Sequence, residues 1–156
     1  MLHKARFLCM AAAFFVAPLT QATVSSDQQR IDTGREIYLQ RCAACHGVQG
    51  EGQPDWQQRN ALGELPAPPH GPSGHTWKHS DEMLLRIIKN GWRDPFNKTM
   101  RITMPAFKKI LSDKEIQEVT IYLKTLWTPE QRLFQKEESK GHPFPKAKQS
   151  NEQGSN

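Results

Sequence analysis

Cysteine is scarce in this 156-residue chain: there are three, and Cys9 stands in the amino-terminal apolar stretch, apart from the other two. A disulfide framework is thereby excluded as the organising device. A structural zinc site would need further Cys or paired His ligands, and no third Cys accompanies the pair at 42 and 45. Runs of alternating apolar and polar residues are missing as well, so no sheet is expected. There is no internal repeat, and no interleaving of basic and aromatic residues of the kind that binds nucleic acid. The longest apolar run is too short to span a bilayer comfortably.

That run belongs to what reads as a secretory signal over residues 1–22. Lys4 and Arg6 form a positive start, Phe7 to Leu19 an apolar centre, and Thr20-Gln21-Ala22 a small-residue cleavage site. Cleavage after Ala22 is expected, marking the protein for export with no stable membrane span; an uncleaved anchor is the alternative. Processing removes Cys9, leaving two cysteines and no disulfide. It also lowers the formal charge from +5 to +3, because Lys4 and Arg6 leave with no acid. A mildly basic surface favours an acidic partner, although a solvated surface with lysines in a tail explains the charge equally well.

The chemistry is concentrated in Cys42-Ala43-Ala44-Cys45-His46-Gly47. Two thiols two residues apart with a histidine directly after the second is the spacing of c-type haem attachment. Each thiol adds across one vinyl group of the porphyrin, and a helical turn sets the sulfurs at the separation that reaches both. His46 then comes under the iron as a ligand. A redox-active dithiol, half of a zinc site, or two cysteines in unrelated bonds are the competing readings.

Around the motif the spacing predicts helices and loops. A helix is expected from Ser26 to Cys42, with Ile31, Gly34, Ile37 and Tyr38 on one face and a cap at Ser26 or, for a shorter helix, at Thr33. Gly34 inside it costs stability, which points to close approach of another helix. Gly47 to Gly74 is punctuated by glycine and proline and reads as a loop wrapping one edge of the cofactor. A carbonyl near Pro66 to Pro69 is expected to accept the second ring N–H of His46. Ser80 to Asn90 reads as a helix capped by Ser80 and ended by Gly91. Ser112 to Trp127 reads as another, opened by a capping box and stopped by Thr128-Pro129. From Pro129 onward the composition turns polar, predicting at most a short helical extension near Glu130 to Lys136 and then a disordered tail.

An iron held by one histidine has one axial position left, and its occupant decides the function. Met104 is the leading candidate, because Pro105 holds it in an extended conformation in a non-helical segment. Met100, Met83, His70, His75 and His79 are rivals, and the three histidines also raise the possibility of copper handling. In their Gly/Pro-rich loop they read as exposed or facing the haem propionates.

From about Gly34 to Trp127 the sequence resembles class I monohaem c-type cytochromes of the bacterial periplasm. The likeness rests on Gly34 with Tyr38, on Cys42, Cys45 and His46, on Met104-Pro105, and on Tyr122-Leu123 to Leu126-Trp127. It implies an all-α cytochrome c-like fold with three main helices and long loops around one covalently bound haem. The domain would run from 23 to 128, with residues 129–156 as the tail. It further implies a low-spin iron with His46 and Met104 as axial ligands, covalent haem on Cys42 and Cys45, and a monomeric electron carrier that is not an enzyme. Its partners would be redox proteins, with donor and acceptor unidentified, and no nucleic acid. A haem sensor, or an enzyme-complex subunit with an exchangeable sixth ligand, is the alternative. The Pro68 to His79 loop departs from the compact pattern of that family.

Overall fold

A computed structural model describes residues 25–145. The expected signal at 1–22 and the chain beyond residue 145 lie outside them. Among the described residues five α-helices follow one another, α1 Ser26–Arg41, α2 Ala43–His46, α3 Asp81–Asn90, α4 Asp113–Thr125 and α5 Pro129–Lys140, with one 3-10 turn at Thr76–Lys78 between α2 and α3. Among the described residues the only β pairing is an isolated antiparallel bridge between Trp92 and Met104. The fold is therefore all-α, with long loops between α2 and α3 and between α3 and α4.

The longer first helix forms, but its cap is Ser25, whose hydroxyl accepts from the Gln28 N–H at 3.2 Å. Thr33 caps nothing; its hydroxyl donates to the Gln29 carbonyl one turn back, the alternative use of a threonine inside a helix. α1 crosses α4 at Gly34. A Cβ there would stand 2.0 Å from the Glu118 carbonyl oxygen and 3.1 Å from Tyr122 Cβ, so the crossing depends on the absent side chain. One turn on, Tyr38 is fully buried with its ring 5.3 Å from that of Tyr122, and its hydroxyl donates to the Gly47 carbonyl at 2.7 Å. The same α1–α4 contact thus holds the end of α2 in place. Gly34→Val should lower the stability of the haem-loaded protein by about 1–3 kcal/mol, the usual cost of overpacking. Denaturant unfolding measures it, and an unchanged midpoint would mean that the helices separate freely.

α3 and α4 begin as their sequences predict. The Ser80 hydroxyl accepts from the Met83 N–H, and Ser112 and Glu115 form a reciprocal capping box. α3 stops at Gly91, whose φ of 76° suits glycine and whose missing side chain lets the Met104 carbonyl approach to 2.5 Å of the Cβ position. Tyr38, Leu84, Ile88, Phe107, Ile116, Val119, Leu123 and Trp127 form the buried core between these helices. α4 ends at Thr125, two residues before the expected Trp127. That indole is nevertheless buried, and its Nε1–H donates to the His70 carbonyl at 2.9 Å, tying the helix end to the loop.

The chain after Thr128 corrects the expectation of a disordered tail from 129 with a short extension. α5 runs for 12 residues. α4 has already ended at Thr125 when the chain reaches Thr128-Pro129, which instead starts α5: Thr128 and Gln131 make a second capping box, and proline is favoured at a first helical position. Polar groups dock this helix. Gln135, 1% exposed, donates to Asp81 Oδ1 at 2.7 Å and to Ser139 Oγ at 2.9 Å, and Ser139 Oγ in turn accepts from the Asp81 N–H at 3.1 Å. Gln131 bonds the Pro72 carbonyl, and Phe134 meets Trp77 edge-on at 5.4 Å.

Candidate haem-binding cavity

The loops and helices close around a cavity of ≈ 790 Å³. Cys42, Cys45 and His46 line it from the turn between α1 and α2, and Met104 from the loop before α4. Leu84, Ile87 and Ile88 of α3, Val119 and Leu123 of α4, and Phe107 add the apolar wall. A space of this size falls within the range of cofactor-sized sites, about 300–1,000 Å³.

The junction of α1 and α2 explains how two thiols and an imidazole reach one space. The Cys42 N–H still bonds the Tyr38 carbonyl at 2.8 Å, and the His46 N–H bonds the Cys42 carbonyl at 3.0 Å, so all three positions sit on consecutive helical turns. Gly47 then reverses the chain at φ 83°. The two cysteines form no disulfide with each other. Burial, reinforced by Cys45, pushes the Cys42 thiol up to about 11. That is the reverse of what an attacking thiolate in a redox dithiol requires.

His46 is 8% exposed, and its Nδ1–H donates to the Pro68 carbonyl at 2.9 Å. A carbonyl can only accept, so the proton is on Nδ1 and the Nε2 lone pair is left for a metal. The Pro66 to Pro69 stretch supplies the acceptor expected of it. Burial lowers the His46 pKa against the opposing effect of that hydrogen bond, which keeps the ring neutral, the form that ligates.

The sulfur-bearing rivals separate by position. Met100 is 84% exposed, whereas Met83 and Met104 both line the cavity. Met104 is fixed by its backbone: its carbonyl accepts from the Trp92 N–H at 2.9 Å and its N–H donates to the Trp92 carbonyl at 3.1 Å. Together with the close approach at Gly91, this pins the segment across the end of α3.

The histidines of the long loop are not simply exposed. His70 stacks on His46 with ring centroids 4.0 Å apart, and its Nδ1 lies 2.9 Å from Thr76 Oγ1. Burial, then the neighbouring His46 and His75, hold its pKa well below the ordinary value. His75 stacks on Trp56 and meets His79 edge-on, and burial lowers both of their pKa values. Among the described residues no three His, Cys, Asp or Glu side chains come together as a metal site.

Two parts of the site escaped sequence reasoning. Trp92 lines the cavity beside Met104 while remaining 43% exposed. Glu64, 5% exposed, is gripped by Arg101, whose Nη2 is 2.7 Å from it, and by Asn60 and Thr99; Arg59 pairs with Asp94 at 2.9 Å. The Arg101 hydrogen bond, first among several, holds the Glu64 carboxyl below the usual range, and Arg59 does the same for Asp94. These pairs join residues 35 to 37 positions apart, across loops with no periodicity to signal them.

A family profile described as Cytochrome c matches residues 31–127. The Cbb3-type cytochrome c oxidase subunit CcoP of Azospirillum brasilense is 29% identical over 103 residues, which are 65% of this chain and 30% of that subunit. The chain thus spans less than a third of that relative's length. No solved structure matches it.

Proposed function

Because the chain belongs to the cytochrome c family, we propose that it is a periplasmic carrier of single electrons whose haem is bonded to Cys42 and Cys45 and ligated by His46 and Met104. The bound haem c supplies a one-electron couple between ferric and ferrous iron. The protein's contribution is to hold that couple in one geometry. Cys42 and Cys45 tether it to the end of α1, the Pro68 carbonyl orients His46, and the Trp92 bridge steadies Met104. Leu84, Ile88, Phe107, Val119 and Leu123 keep water away, which disfavours the extra positive charge of the ferric state. A methionine ligand raises the potential further and leaves no vacant position for a small molecule.

The observation that carries this reading is that two thiols, a neutral histidine with its second nitrogen free, and a backbone-anchored methionine all border one cavity. As a carrier the chain acts on no substrate and works as a monomer between redox protein partners. Among the described residues no helix is long and apolar enough to cross a membrane. Carbon monoxide added to the ferrous protein tests the ligation: the spectrum should stay unchanged over minutes, and a rapid, complete shift would favour an exchangeable site.

A second reading has one observation in its favour, the likeness to a subunit of an oxidase. The chain would then pass electrons within an enzyme complex, using the same tethered haem. Stable co-purification with an oxidase from its native host would support that arrangement over a diffusing carrier.

A further inference from the structure

Burying a carboxylate is costly unless a cation and hydrogen bonds compensate it. Glu64, 5% exposed, has both. Arg101 grips it with two donors, Nη2 to Oε2 at 2.7 Å and Nε to Oε1 at 3.1 Å, a paired geometry that fixes direction as well as distance. The Asn60 amide and the Thr99 hydroxyl donate to it at 3.3 and 3.4 Å. None of these partners lies on a helix, so the charge joins loop to loop.

The loop it grips ends at Met104. Trp92 and Met104 pair through their backbones, which brings the two ends of residues 93–103 together. Inside that loop Asn97, 4% exposed, donates to the Arg101 carbonyl at 3.2 Å and accepts from the Thr99 N–H at 2.8 Å, so the far side moves as one piece. Two ion pairs fasten it to segment 59–64: Glu64 with Arg101, and Arg59 with Asp94 at 2.9 Å. Arg59 also donates to the Gly63 carbonyl at 2.7 Å, next to Glu64, which makes the two pairs one clasp. The bridge at Trp92 holds the Met104 backbone, but an isolated bridge contributes little net stability, and the loop beyond it needs an anchor of its own.

We propose that Glu64 is a positioning residue for the sixth ligand: paired with Arg101, it clamps the 93–103 loop so that Met104 stays on the iron. The inference rests on the Met104 ligation proposed above. Glu64 acts through Arg101 and the loop backbone, as supporting groups around a metal site do. Removing one partner of a buried pair loosens the loop twice over, because the bond is lost and the charge left behind seeks water.

The test follows the haem-loaded ferric protein in excess imidazole, where the sulfur–iron bond breaks and an imidazole nitrogen takes its place. The rate is then set by Met104 leaving, and the far-red band of the sulfur–iron bond reports it. Glu64→Gln and Arg101→Gln should each raise that rate about tenfold, and Arg101→Lys, which keeps the charge, should raise it less. Lys89→Gln, which breaks the exposed Lys89–Asp113 pair, should leave it unchanged. Denaturant unfolding of the same variants separates positioning from bulk stability. A lowered midpoint in Glu64→Gln with the wild-type imidazole rate would make the pair structural only and overturn the proposal, as would equal rates in all variants. If Glu64→Gln takes up no haem, Arg59→Gln at the second, partly exposed pair carries the same expectation. A wild type without the far-red band sinks the ligation itself; a wild type with the band, unmoved by any clasp variant, sinks only the clasp.

Discussion

Alanine at both Cys42 and Cys45 should yield a protein with no covalently held porphyrin. After denaturation and extraction, all haem should leave the polypeptide, whereas wild type should retain it. Stability should fall with it. The described domain lines an open-mouthed cavity of ≈ 790 Å³ with Leu84, Ile87, Val119 and Leu123, and without the cofactor that apolar surface faces water instead of being buried. In a domain of this size the buried area has little surplus to cover such a cavity. The double variant should therefore show greatly reduced helix content and no cooperative unfolding at ordinary temperature. A double variant that keeps a cooperative transition would mean that the helices hold the cavity open unaided, and that the attached cofactor is no part of the core.

Met104→Ala should preserve covalent haem but change what the iron binds. The weak far-red band that a sulfur–iron bond gives the ferric protein should vanish. The ferrous form should then take up carbon monoxide within seconds, and the reduction potential should drop, because a methionine ligand raises it. Two controls locate the effect. Met100→Ala should leave the band in place, since that side chain is 84% exposed. Met83→Ala is the stricter comparison, because Met83 borders the same cavity from α3. Loss of the band in Met83→Ala and its survival in Met104→Ala would reassign the ligand. The backbone bridge to Trp92 argues for Met104: a ligand on a loop needs its main chain held, and Met104 is held from both sides.

Local signals were readable where one residue type has one dominant physical use. Gly34 announced a helix crossing, and the Glu118 carbonyl occupies that notch. The capping box at Ser112 and the stop at Gly91 rest on backbone rules that tertiary packing leaves intact. The C-x-x-C-H run and the acceptor for His46 follow from ligand chemistry, and Pro68 lies inside the four-residue window predicted for it. α5 carries too few apolar residues to announce itself as a packed helix. Its anchoring is done by Gln135 and Ser139, which bond Asp81 on α3, and burying hydrogen-bonded amides leaves no hydrophobic stripe to detect. The stacking of His70 on His46 and the Glu64–Arg101 pair were equally silent, since contacts across long loops have no period. Polarity there suggested solvent, and the chain instead used it to lace the loops together around the cavity.

The most direct measurement is peptide mapping of protein made in a host competent in haem ligation. Cleavage after arginine releases the segment that begins at Cys42 and ends at Arg59. The account predicts that this segment has the mass of one haem added and that neither thiol reacts with an alkylating reagent. The bare segment mass, with Cys42 and Cys45 both alkylated, would contradict it.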